Sequence, residues 1–351
     1  MESNQFIRKE KEMKRFFTTI ALIVAFSMVL GIGSSLAAEK EVTIGYQLVY
    51  NPWKTSIVDG TFEKETGYKI NWRKFDSGAK VINAMASGDV HISLAGSSPI
   101  AAGVSRGLDI QLVWIFEDIA SAEALVVRNG SGIMAPQDLK GKKLGVPFVS
   151  TTHFHTLFAL EQFGINPKEV KILNMQPNSI AAAWERGDID AAFVWDPALG
   201  RIKKSGKVLI TSGTLSTWGK ATFDGCVANK TWAAEHPEFM AKFIKIVAAA
   251  DASYRDNPKA WSPDSQMVKN IIKLIGGDPK DVPGVLALYD FPTMEVQASD
   301  RWLGGGKNGG AALALYYTSE FLLKEKKIEK MLPDYGETVT PKYVEAAMKL
   351  K

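Results

Sequence analysis

The strongest constraint on this chain is an alternation. Strand-like and helix-like patterns follow one another from residue 41 to about residue 229. Glu41–Gln47 (EVTIGYQ) reads as a strand, residues 55–66 as a helix stopping at Gly67, Lys69–Phe75 as a strand and residues 79–86 as a helix. Residues 90–95 form a third strand that runs straight into Gly96-Ser97-Ser98-Pro99, where Pro99 suits a first helical position with Ser98 as its cap. Strands at 110–116 and 124–128 follow, then a Gly/Ser break at Asn129-Gly130-Ser131-Gly132. A second series repeats the alternation: strand 143–148, helix 150–163, strand 170–175, helix 178–186, strand Ala191–Trp195, then strands 208–211 and 225–229. From Trp232 onward the pattern is mostly helical. Such alternation predicts an α/β fold with parallel-rich sheets. Two series predict two α/β lobes with a cleft between them. Residues 38–128 plus 229–351 would form a discontinuous lobe 1, and 129–228 would form lobe 2.

Composition narrows what such a fold can do. The 351 residues are 46% hydrophobic and 23% charged, which excludes a disordered, collagen-like or polytopic membrane chain. The single cysteine, Cys226, excludes an intramolecular disulfide framework and any Cys-rich metal site, and four histidines leave little for a His-based one. A formal charge of +4 is too weak to point to nucleic acid. Residues 1–37 read as a secretory leader: basic Lys14 and Arg15, an apolar run to Leu30, and Ser35-Leu36-Ala37 before the cut. Cleavage is expected after Ala37, with Met13 as an alternative to Met1 as the start. The mature chain is expected to be a soluble exported protein and a monomer.

Two turns carry the chemistry. Gly96-Ser97-Ser98-Pro99 and Val149-Ser150-Thr151-Thr152-His153 each join the end of a strand to the start of a helix. Open α/β sheets bind ligands at such places, where free N–H groups and the positive helix end attract an anion. Ser97, Ser98, Ser150, Thr151 and Thr152 add hydroxyl donors. Uncharged donors suit a permanently ionised, tetrahedral group such as a sulfonate. The same residues also read as ordinary helix caps. Glu123 and Asp224 each precede an apolar strand and are candidates to hold a cation, or else are exposed acids on loops. Tyr46, Tyr50, Trp53, Trp195 and Trp218 fall at strand ends or loops near the expected cleft. Tyr46, Trp53 and Trp195 are taken as its aromatic lining.

An enzyme would need a catalyst, and none stands out. His153 and His155, two apart on a helix, point in different directions. No HExxH or GxSxG occurs, and no GxGxxG lies between a strand and a helix. Cys226 lies in an apolar strand, as a small hydrophobe does. Gly304 to Gly310 has the look of a phosphate loop, but it lacks Ser or Thr after Lys307 and follows no strand, so it reads as a flexible surface turn. No enzyme, cofactor or metal is expected.

The assembled motifs resemble the periplasmic solute-binding proteins of sulfonate, nitrate and taurine ABC importers. The resemblance rests on Asn71–Gly78 (NWRKFDSG), GSSP at 96–99, SAEALVV at 121–127, VPFVSTTH at 146–153, AAWERGDID at 182–190, FVW at 193–195 and TFD at 222–224. It covers most of residues 41–230. It implies a type II periplasmic-binding fold with a closing interlobe cleft, and an inner-membrane permease and cytoplasmic ATPase as partners. It implies a sulfonate site at Ser97, Ser98, Ser150, Thr151 and Thr152, and an amine site at Asp224 with Glu123 as a second acid. The implied ligand is taurine or a close amino-sulfonate; a plain alkanesulfonate or a small anion such as nitrate is the alternative. The segment from Leu48 to Lys54 departs from the family pattern and is expected to bring Trp53 to the cleft.

Overall fold

The computed structural model describes residues 40–350, so the expected leader at 1–37, its cleavage point and the choice between Met1 and Met13 lie outside the described residues. Ten strands make two sheets. The first contains β1 (Glu41–Gln47), β2 (Lys69–Phe75), β3 (Ile92–Gly96), β4 (Ile110–Asp118) and β10 (Phe223–Asn229), in the order β2-β1-β3-β10-β4. The second contains β5 (Glu123–Arg128), β6 (Lys143–Val146), β7 (Lys171–Asn174), β8 (Ala191–Trp195) and β9 (Gly206–Thr211), in the order β7-β6-β8-β5-β9.

The two sheets share one plan. β1 lies parallel to β2 and β3, and β6 lies parallel to β7 and β8. Each sheet then takes in one antiparallel strand: β10 between β3 and β4, and β5 between β8 and β9. These two strands are exchanged. β5 follows β4 in sequence but joins the second sheet, and β10 follows β9 but joins the first. Sheet membership therefore changes at residues 119–122 and 212–222, not at 129 and 229. An apolar run announces that a strand is buried; it does not announce which sheet buries it.

The burial patterns follow the plan. Inner strands β3, β8 and β10 are buried almost throughout, whereas the edge strands β2 and β7 carry exposed lysines that discourage edge-to-edge pairing. One apolar cluster ties the first sheet to the C-terminal helices, and a second packs the other sheet against the helix Thr151–Gln162. Phe321, on the helix Gly310–Lys324, packs against both clusters.

Two local expectations need correction. The helix expected over 55–66 is two, Thr55–Val58 and Thr61–Thr66, because Gly60 takes φ +74° and the Asp59 carboxylate accepts from Thr61 N and Oγ1. The helix after β3 is Ser97–Ser105, with Gly96 as its N-cap, so Ser98 sits inside the first turn rather than capping it. Pro99 is tolerated there because first-turn N–H groups have no intrahelical acceptor. The glycine-rich stretch forms a short turn, Gly306–Asn308, leading into the helix Gly310–Lys324.

Candidate functional site

The strand exchange builds a site. A strand that runs antiparallel to its neighbours starts where they end. β10 starts beside the end of β3, which pairs Asp224 with Gly96. β5 starts beside the end of β8, which pairs Glu123 with Trp195. Each acid is thereby carried to the C-terminal edge of a parallel sheet, the edge where helix N-termini gather. The two edges meet around a narrow cavity of about 20 Å³. From the first sheet and its helices it is lined by Gln47, Gly78, Gly96, Pro99 and Asp224; from the second by Glu123, Ser150, Thr151 and Trp195. Val49, Ile119 and Tyr289 complete the wall. The approach is close: a Cβ on Gly96 would lie 2.9 Å from Thr151 Cγ2 and 3.3 Å from Asp224 Oδ1.

The two turns differ in how their hydroxyls are held. Ser150 is the N-cap of the helix Thr151–Gln162; its Oγ accepts from His153 N at 3.1 Å and donates to Pro147 O at 2.6 Å. That carbonyl only accepts, so Ser150 has no proton left, and Thr152 Oγ1, 2.8 Å away, donates to Ser150 Oγ. Thr151 Oγ1 donates to Glu123 Oε1 at 2.5 Å. All three hydroxyls expected to face an anion are thus engaged within the protein, and Thr152 does not line the cavity. The helix start still leaves the N–H groups of Thr151 and Thr152 without intrahelical acceptors. Ser97 and Ser98 are the reverse case: both are fully buried, neither hydroxyl has a partner, and the cavity wall is formed by Gly96 and Pro99 beside them.

The acids sit in low-dielectric surroundings. Burial raises Asp224 to about 6, against the opposing effects of a hydrogen bond from Glu117 and the charge of Lys54. Burial raises Glu123 to about 8, opposed by Thr151, pushed further by Asp224, and opposed again by Ser212. Behind Asp224 lies a chain that sequence reading missed. Lys54, fully buried, donates to Val49 O at 2.5 Å and to Asn51 Oδ1. The ammonium only donates, so it fixes the Asn51 amide with Nδ2 toward Glu117 Oε1, at 2.5 Å. Glu117 pairs with Asp224 across the ladder, and its Oε2 has no N–H or O–H donor in reach. Two carboxyls meet there, and burial followed by the charge of Asp224 holds Glu117 well above the carboxylate range. Burial lowers Lys54 to about 7 despite Glu117 and Asp224.

Of the expected aromatic lining, Trp195 is in place. Trp53 is a core residue, stacked on Phe116 with ring centroids 4.8 Å apart, and Tyr46, though buried, is not part of the wall. Tyr50 hydrogen-bonds Gly276 O, and Trp218 is exposed. Gln47 and Tyr289 were not anticipated. Gln47 ends the first strand and had a readable position, whereas Tyr289 comes from the helical C-terminal third, where no pattern points back to the cavity. Among the described residues no group of His, Cys, Asp or Glu is arranged to hold a metal ion, and no helix is long and apolar enough to cross a membrane. Cys226 is buried in β10, and burial pushes its thiol up, away from the reactive thiolate.

Residues 60–261 match the family described as NMT1/THI5 like. The chain is 39% identical over 304 residues to the taurine-binding periplasmic protein of Escherichia coli K12, covering 87% of this chain and 92% of that one. It is 25% identical to a putative aliphatic sulfonates-binding protein of Bacillus subtilis 168, covering 94% and 96%. Among solved structures, the periplasmic aliphatic sulphonate binding protein of Escherichia coli superposes with a TM-score of 0.69 at 21% identity, covering 88% of this chain and all of that one.

Proposed function

Because the chain belongs to the NMT1/THI5-like family and is similar over most of its length to a taurine-binding periplasmic protein, we propose that it is the periplasmic receptor of an ABC importer, and that it captures taurine or a close amino-sulfonate. The observation that carries the ligand class is the pairing, in one cavity, of helix N-termini from both sheets with the buried Asp224 carboxylate. The helix starts at Ser97 and Thr151 offer N–H groups, and Ser97 and Ser98 offer hydroxyls, to the sulfonate. Asp224 receives the ammonium, with Glu123 beside it and Trp195 excluding water.

The mechanism is capture by closure. The parts carrying the two sheets act as lobes that separate about the crossings at 119–122 and 212–222 to admit the ligand, which then holds them together. The permease and its ATPase are the partners that recognise the closed form. No bond is made or broken in this reading, which is of a binding protein rather than an enzyme. Its place is the periplasm, after removal of the leader.

Titration calorimetry with taurine, ethanesulfonate and nitrate tests this reading. Taurine binds more tightly than ethanesulfonate to the wild-type protein, and Asp224→Asn abolishes that preference, weakening taurine at least 100-fold, since breaking a buried charge pair costs about 3–5 kcal/mol. Equal affinities for taurine and ethanesulfonate in the wild type would refute the amine site. A preference for nitrate would refute the sulfonate.

A further inference from the structure

The donors and acceptors around Glu123 can be counted. His155 Nε2 lies 2.7 Å from Lys220 O, which only accepts, so that nitrogen bears a proton. The other ring nitrogen, Nδ1, lies 2.7 Å from Ser212 Oγ, and Ser212 Oγ lies 3.0 Å from Glu123 Oε2. Ser212 has one hydroxyl proton. An ionised Glu123 and a neutral His155 would both require it, and one buried acceptor would be left unmatched.

One additional proton closes the chain. Placed on Glu123 Oε2, it is donated to Ser212, whose own proton goes to Nδ1. Placed on Nδ1, it makes an imidazolium that donates to Ser212, whose proton goes to Glu123. Both arrangements have the same net charge, zero. The second separates two charges across a hydroxyl where His155 is wholly buried and Glu123 nearly so, so the first is favoured.

We propose that Glu123 stands at the cavity wall as a neutral acid, its proton held by Ser212 and His155, so that Asp224 is the single negative charge presented to the ligand's ammonium. This deepens the amino-sulfonate reading and rests on it for the ligand. One positive charge then meets one negative charge. Glu123 contributes an uncharged acceptor, Oε1, already oriented by Thr151. Of the other groups facing the acid, Asp224 across the cavity disfavours a second negative charge, and the Tyr289 hydroxyl is held protonated and neutral by burial and by the acids around it. Burial lowers His155 to about 4, opposed by its bond to Lys220 O, and raises Glu123, the directions that a neutral pair requires. The chain ends at Lys220, within the 212–222 crossing, so the proton on Glu123 also ties the cavity wall to a segment that lobe opening would bend.

Two measurements on the full chain test the proposal. Nitrogen NMR of the four histidines in the ligand-free protein at about pH 7 finds His155 neutral, protonated at Nε2; an imidazolium at His155 overturns it. Ethanesulfonate, which has no group titrating in this range, reads the charge directly. Its affinity falls about tenfold between about pH 7 and pH 9 in the wild type as Glu123 ionises beside a bound anion. In Glu123→Gln, whose amide donates to Ser212 as the neutral acid does, the fall shrinks to what Lys54, lowered to about 7, contributes on losing its charge. A level wild-type profile, or an unchanged fall in the variant, overturns the assignment. If His155 is neutral with Nδ1 accepting a hydrogen bond from Ser212, and neither taurine nor ethanesulfonate binds, the charge assignment stands and the ligand reading is what fails.

Discussion

The turns after β3 and β6 look alike in sequence and do opposite things with their hydroxyls. After β6, the Ser150 hydroxyl caps a helix, Thr152 supports the cap, and Thr151 orients Glu123. After β3, Gly96 takes the capping position without a side chain, and Ser97 and Ser98 lie in the first turn with hydroxyls that no protein group accepts. The difference shows that a serine at a helix start has two uses, and the register of the cap selects between them. If Ser is the N-cap, its oxygen folds back onto the helix. If it follows the cap, its hydroxyl is held beside the free N–H groups and is available to something else.

The comparison can be broken first at Ser97 and Ser98. The double variant Ser97→Ala/Ser98→Ala is expected to weaken all sulfonates by about 100-fold in calorimetry, since each hydrogen bond to a charged group is worth about 1.5–3 kcal/mol, while thermal unfolding stays unchanged or improves. An unaltered affinity would return both serines to the packing of the core.

The opposite end of the cavity responds to pH. Asp224 is protonated below about 6 in the free protein. The ammonium needs the carboxylate, so taurine affinity falls about tenfold per pH unit below that value and levels off above it, while ethanesulfonate affinity does not share the fall. The sign for stability is the reverse. A raised folded-state pKa means that the native form holds its proton more tightly, so this residue's stabilising contribution is full below the unfolded carboxyl pKa and is lost as pH rises through about 6. Parallel titrations of taurine and ethanesulfonate from acid to neutral pH sharpen the distinction between the two ends.

Gly96→Ala acts between the turns. Its methyl would meet Thr151 Cγ2 at 2.9 Å, so the two edges must part. We expect about a tenfold loss of affinity, as a shift costing about 1.4 kcal/mol produces, for taurine and ethanesulfonate alike.

The smallest effect belongs to Ser150. Ser150→Ala removes a cap and is expected to lower unfolding stability by about 1 kcal/mol, read by denaturant titration, with affinity changed only a few-fold. A large loss of affinity with stability intact would erase the contrast with Ser97.

Much of the fold was legible because its signals are local. β1, β2 and β8 match their expected limits residue for residue, since their apolar runs end at loops or turn residues. The Asp59-Gly60 break was hidden inside a helical pattern, as was the part of the cavity wall that comes from the C-terminal third. Within the site, Asp224, Glu123, Ser150, Thr151 and Trp195 were recognisable from their place at strand and helix ends, and all line the cavity. Lys54, Asn51 and Glu117 were not: a lysine enclosed in an apolar turn has no periodicity, and the Asn51 amide that it fixes meets Glu117 66 residues away in sequence, in β4.

By itself, then, the sequence determined the alternation of elements, the apolar strands and the residue types at each turn, because these depend on backbone preference and hydrophobic period over a few neighbours. Only the tertiary structure decided that β5 and β10 change sheets, that Trp53 belongs to the core, and which hydroxyls have no partner within the protein. Those outcomes depend on which donor finds which acceptor across long chain separations, and a single proton on Ser212 can be given to only one of them.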